Sequence, residues 1–199
     1  MSFKDTFLAA IVPIFLGFGF VIAKPAFEYF PPLLLMGLRF TIAAIILIWW
    51  FPIPKNFLKQ LFLVSLVANT IQYSLTYSGL NMIDASAAVL IVMCEVPFGI
   101  IAAYFLLKEK PGIRSLVGVL IAFFGVYTLS GSPNLEGKFL GMFLVFSGAA
   151  MWGFGQVLAK PLTKNMNPIA LAAWLCLMSG PLLIALSAIF EGNTINYFY

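Results

Sequence analysis

The chain has no histidine and only two cysteines among its 199 residues. Without histidine the commonest general base at neutral pH is missing. A transition-metal centre would also have almost no imidazole or thiolate donors, so neither a metal site nor a cofactor is expected. Cys94 and Cys176 stand far apart inside apolar runs. They read as small buried hydrophobes rather than a disulfide framework. The sequence contains no GxSxG elbow, no GxxxxGK[ST] phosphate cradle and no HExxH zinc motif. No catalytic set is visible, and an enzyme is not expected. Charge is scarce as well, at 9% of residues against about 25% in a soluble domain, too little to cover a water-facing surface. The net charge of +4 arises from basic residues at the ends of apolar runs. Membrane topology accounts for it without nucleic acid.

What is present is apolar length. Hydrophobic residues make up 62% of the chain, in runs of about twenty that can each cross a hydrocarbon core of about 30 Å. Only structures with internally satisfied backbones survive in lipid, and the fold class predicted is an all-α integral membrane protein. Reading the runs between charge, Pro and Gly breaks gives seven transmembrane helices, at roughly 6–23, 31–51, 57–78, 85–107, 113–130, 138–159 and 168–190. The first run lacks a convincing cleavage site and is read as an uncleaved span rather than a signal peptide. Lys4, Lys55, Lys59, Lys108, Lys110, Arg114, Lys160 and Lys164 fall on one side of the membrane, and Lys24 and Lys138 on the other. By the positive-inside rule the N-terminus is cytoplasmic, and Trp49 and Trp50 suit an interfacial aromatic belt.

Gly17-Phe18-Gly19-Phe20-Val21-Ile22-Ala23-Lys24-Pro25 recurs as Gly153-Phe154-Gly155-Gln156-Val157-Leu158-Ala159-Lys160-Pro161, 136 residues later. The register holds from Gly17–Leu35 to Gly153–Leu171 with nine identities in nineteen positions. The chain is an internal duplication. The first repeat occupies 1–131, and the second begins near 137 and reaches 199 with two helices, an incomplete copy. A repeat of five spans, an odd number, enters the membrane from opposite sides in its two copies. Inverted repeats of this kind build many secondary transporters, with a substrate site near the midplane.

Several residues do not belong in lipid. Arg39 lies about eight residues into the second span, roughly 12 Å deep at about 1.5 Å per residue, and Glu95 about ten residues into the fourth, roughly 15 Å deep. Charges at such depth are costly and usually face a cavity. Two readings stand side by side. In one, Glu95 carries a proton or cation and Arg39 anchors an anionic substrate group. In the other, the two form a fixed ion pair between helices. Asn69 and Gln72 lie at a comparable level with Tyr73 and Tyr77 on neighbouring turns, as helix–helix glue or as substrate contacts. Pro13, Pro97 and Pro181 fall within spans, and Pro97, two residues after Glu95, is the candidate hinge or helix break. Gly17, Gly19, Gly148, Gly153 and Gly155 are expected to let helices approach closely.

Several motifs in fixed order carry a family resemblance. They are Lys24-Pro25, Pro31-Pro32 leading into Leu38-Arg39-Phe40, Ala85-Ser86-Ala87-Ala88-Val89-Leu90, Glu95-Val96-Pro97-Phe98, Leu106-Leu107-Lys108-Glu109-Lys110-Pro111, and Leu116-Val117-Gly118 through Phe124-Gly125-Val126. Their order and spacing resemble the EamA domain of the drug/metabolite transporter superfamily, and the resemblance restarts at Gly141–Pro161. It implies a ten-helix inverted-repeat transporter fold (5+5), of which seven transmembrane helices lie here and the second repeat is truncated. It implies a multi-pass protein of a bacterial-type cytoplasmic (inner) membrane. The function implied is secondary active export of small metabolites such as amino acids or their derivatives, by alternating access between two bundles. The alternative is a truncated, non-transporting membrane scaffold or assembly partner. The expected partners are a small-molecule metabolite and the lipid bilayer, not nucleic acid; proton coupling and a homodimer are compatible with this reading. Glu109 is expected to pair with Lys108, Lys110 or Arg114 at the interface.

Overall fold

The computed structural model describes residues 11, 17–130 and 137–192. Lys4, Pro13, most of the first span before Gly17 and the turn at 131–136 lie outside the described residues. Among the described residues seven helical passes follow one another, the first described only at residue 11 and from 17 to 26, in agreement with the seven predicted runs. They comprise α1 (17–26), α2 (Pro32–Leu47, extended by a 3-10 turn to Trp50), α3 (Leu58–Val64), α4 (Gln72–Met82), α5 (Ala85–Val92), α6 (Glu95–Leu107), α7 (Ile113–Ser130), α8 (Phe139–Asn165) and α9 (Pro168–Phe190). Among the described residues four helical stretches are long and apolar enough to cross a membrane: Pro32–Trp50, Ala85–Leu107, Phe139–Asn165 and Pro168–Phe190.

Local chemistry sets the starts and stops. Pro32 and Pro168, equivalent in the duplication, both stand in the first turn of their helices. There a missing N–H breaks no bond. Asn167 caps α9 by accepting from the Ile169 backbone N–H at 2.9 Å. Lys108 ends α6 in a left-handed conformation, φ 55°. The passes also run longer than the apolar pattern predicts. The third reaches Met82 rather than residue 78 and the sixth reaches Asn165 rather than 159, because amphipathic ends that leave the hydrocarbon remain helical.

The two C-terminal helices pack on helices of the N-terminal part. α9 lies along α2, and α8 lies along α4 and α6, whereas α8 and α9 hardly touch. The α4–α8 seam is built from glycine. A Cβ on Gly79 would meet the Gly141 carbonyl at 2.6 Å, and Gly148 and Gly155 sit against Thr76 and Ala68 further along. Gly153 lies equally close to Phe98 and Gly99 of α6. Gly17 and Gly19 correct the sequence expectation: among the described residues nothing lies within 4 Å of a Cβ at either. Identical glycine motifs therefore sit in different surroundings: the α8 copy turns its glycines into Ala68, Phe98 and Gly99, whereas the α1 copy meets α4 through Phe20.

The loops group their charges at two ends. At one end Lys24 donates to the Leu80 carbonyl at 3.0 Å and to that of Ile83, Lys138 lies 3.9 Å from Asp84, and the Glu191 carboxylate accepts from the Leu33 and Leu34 backbone N–H groups at 2.9 and 3.3 Å. Glu191 thus caps the exposed donors at the start of α2, where a helix dipole favours negative charge. At the other end Lys160 pairs with Glu109 at 2.5 Å. The partner of Glu109 is a residue of α8 rather than Lys108, Lys110 or Arg114. The chain reversal after α6 points Glu109 at the neighbouring helix end.

Candidate functional site

Two apolar clusters fill the bundle. One gathers Phe20, Met36, Phe40, Tyr77, Leu80 and Leu183; the other gathers Leu61, Val64, Ala68, Leu162 and Trp174. Along the third pass a polar stretch lies between them, with Ser65, Asn69, Thr70, Gln72 and Thr76 all buried. The backbone is irregular at the same place. Residues Ser65–Ile71 wind as a π-helix between α3 and α4, a geometry that is rare and frequent at functional sites. Nothing in the residue pattern signals it.

The structure places the sequence candidates in different surroundings. Asn69 is buried, and its Nδ2 donates to Ser179 Oγ of α9 at 3.3 Å. Ser179 in turn donates to the Leu175 carbonyl at 2.6 Å. Gln72 Nε2 donates to Thr76 Oγ1 at 3.1 Å, while its Oε1 is buried with no partner among the described residues. An unmade bond of this kind costs about 1–3 kcal/mol. Asn69 thereby ties α9 to the third pass, and Gln72 keeps one free acceptor.

Arg39 and Glu95 do not form the ion pair that one reading allowed. Among the described residues the ion pairs are Lys138–Asp84 and Lys160–Glu109. Arg39 projects from α2 with an exposed side chain and lies near the Tyr77 phenol. Tyr73 lies within electrostatic reach of both Arg39 and Glu95, and Cys176 of α9 within reach of Arg39. Tyr73 and Tyr77 stack at 5.4 Å and 11°, and Phe20 and Phe40 close the stack at 5.6 and 4.7 Å. Cys176 is only half-buried. Sequence reading had treated it as core; its position one turn from Ser179 on α9 carries no signal without the packing partner.

Glu95 is half-buried and opens α6, directly after a break in the fourth pass. α5 ends at Val92, Met93 and Cys94 form a turn, and α6 begins again at Glu95. Pro97 accounts for the position of the break. Its ring lacks an N–H for the carbonyl four residues earlier, that of Met93, and crowds it. The interruption therefore falls at Met93–Cys94, with Pro97 in the first turn of α6. Pro181 leaves α9 uninterrupted from Pro168 to Phe190.

Clefts of about 400, 500 and 470 Å³ flank α7. Residues such as Phe123, Val126, Phe143 and Ile100 line them, and neither Arg39 nor Glu95 does. They are apolar grooves between loosely packed helices. Arg39 lies instead near the stacked tyrosines of α4.

The EamA-like transporter family matches residues 4–131 and 139–197. A probable amino-acid metabolite efflux pump of Escherichia coli K12 is 28% identical over 97% of this chain and 67% of its own length. A protein of the same description from Salmonella typhimurium LT2 is 29% identical over 83% of this chain and 56% of its own. An uncharacterized transporter of Bacillus subtilis 168 is 27% identical over 90% and 65%. The chain thus spans about two thirds or less of the length of these relatives. No solved structure matches it.

Proposed function

The chain belongs to the EamA-like transporter family, and we propose that it serves secondary active export of small metabolites, amino acids or their derivatives among them. The observation that carries this reading is a pair of opposite charges, Arg39 and Glu95, inside membrane passes, near one tyrosine and yet not bonded to each other. A structural pair would neutralise itself; charges left apart at such depth are placed for a ligand or an ion. Glu95 is proposed as the proton-exchanging carboxylate and Arg39 as a substrate anchor. Gln72 Oε1, buried and unpartnered, is the acceptor proposed for substrate or a bound water. The break at Met93–Cys94 is proposed as the point where the α6 half-helix moves against α5, with Pro97 as its cause.

Alternating access between two inverted five-helix bundles, 1–131 and a second beginning at 137, is supported by the duplicated motifs and by the two stretches matched to the family. A bacterial-type cytoplasmic membrane with the N-terminus inside is supported by the division of Lys and Arg between the two ends. The relatives named as amino-acid metabolite efflux pumps support the substrate class.

The test is export from cells carrying the complete protein with Glu95→Gln. Loss of flux at unchanged membrane abundance is expected, since the neutral amide keeps the volume and removes the titrating group. Equal flux at equal abundance would remove Glu95 from the mechanism and favour a scaffold.

A further inference from the structure

We propose that Arg39, Tyr77 and Tyr73 form the receptor for a carboxylate on the transported molecule, with Cys176 on its wall and Tyr77 as the positioning residue. This rests on the transport reading and names the group by which the substrate is held.

Arg39 has five N–H donors and no acceptor, and its neighbour here is a neutral phenol. That contact orients the guanidinium without balancing its charge. Tyr73, one turn earlier on α4, also lies within reach of the same charge. The rings cannot swing freely, because Tyr77 is stacked between Phe20 and Tyr73 at 5.6 and 5.4 Å and Phe40 abuts Tyr73 at 4.7 Å. The cluster thus offers one preorganised cation and two phenolic donors, a set that recognises an anion. The stoichiometry of charge selects among anions. Lys24, the cation on neighbouring α1, is engaged with the carbonyls of Leu80 and Ile83. A single forked guanidinium matches a carboxylate monoanion, whereas a phosphate dianion asks for a second cation.

Cys176 makes the site observable without transport. In the full chain with Cys94→Ala, reconstituted in nanodiscs, the rate of modification of Cys176 by a neutral methanethiosulfonate reagent reports occupancy. The probes are L-leucine, N-acetyl-L-leucine, L-leucinamide and inorganic phosphate, with thermal stabilisation measured alongside as a readout independent of the thiol. Protection and stabilisation by leucine and N-acetyl-leucine, and by neither leucinamide nor phosphate, are expected. Tyr77→Phe should raise the concentration for half-protection roughly tenfold, the worth of one hydrogen bond to a charged group, with labelling measured relative to the same variant without probe. Arg39→Lys should weaken protection as well, because an ammonium lacks the fork. Equal effects of leucinamide, an effect of phosphate alone, or no effect of any probe on either readout would overturn the proposal. Export measured on the same protein separates the two readings. Flux without carboxylate protection removes the receptor and leaves transport standing, and protection without flux does the reverse.

Discussion

Replacing Gly79 with alanine probes the seam that sets Thr76 and Gln72 against α8. A Cβ at position 79 would stand 2.6 Å from the Gly141 carbonyl oxygen and 2.9 Å from the Val145 backbone nitrogen. Both are main-chain atoms of a helix and cannot rotate away. Non-bonded contacts settle near about 3.5 Å, so the two backbones must part locally by about 0.9 Å. The next contact along the seam, Gly148 against Thr76, loosens with it. Overpacking of this sort costs about 1–3 kcal/mol, and the better helix propensity of alanine returns at most about 1 kcal/mol. A net loss of up to about 2 kcal/mol is therefore expected, taking the overpacking range less that propensity gain. Reversible unfolding in mixed micelles, titrated with denaturing detergent and followed by tryptophan fluorescence, measures it. Gly125→Ala on α7 is the control, since among the described residues nothing lies within 4 Å of a Cβ there. It should be neutral or slightly stabilising. If Gly79→Ala unfolds no earlier than Gly125→Ala, the helices are not in backbone contact, and the placement of Gln72 and Thr76 against Gly148 falls with them.

Glu191→Gln removes the charge that caps α2 while keeping its shape. A loss of about 0.5–1 kcal/mol is expected from the dipole and charged hydrogen-bond terms, read by the same unfolding titration; no change would mean that the Leu33 and Leu34 donors find solvent instead. Pro97→Ala restores a donor for the Met93 carbonyl and should knit α5 to α6. Thermal stability should rise, by up to about 3 kcal/mol on helix propensity, while export falls; unchanged export would exclude the break as a moving part.

The seven passes, their order and their approximate limits were legible in the sequence because apolar length is a one-dimensional property. Each span must meet the membrane by itself, so no tertiary partner is needed to recognise it. The repeated motif at Gly17 and Gly153 is likewise a matter of register along the chain. What counting cannot supply is azimuth and neighbourhood. Whether Arg39 meets Glu95 or Tyr77, whether Glu109 turns to Arg114 or to Lys160, and which of two identical glycine motifs lies in a tight seam all depend on how seven cylinders pack sideways. The π-helical stretch at Ser65–Ile71 belongs to the same class, since an extra residue in a helical turn leaves no trace in composition. Sequence determined a duplicated helical membrane protein with two charges out of place. The lateral packing of α2, α4, α6, α8 and α9 alone decided that those charges stay apart, with Arg39 near the stacked tyrosines.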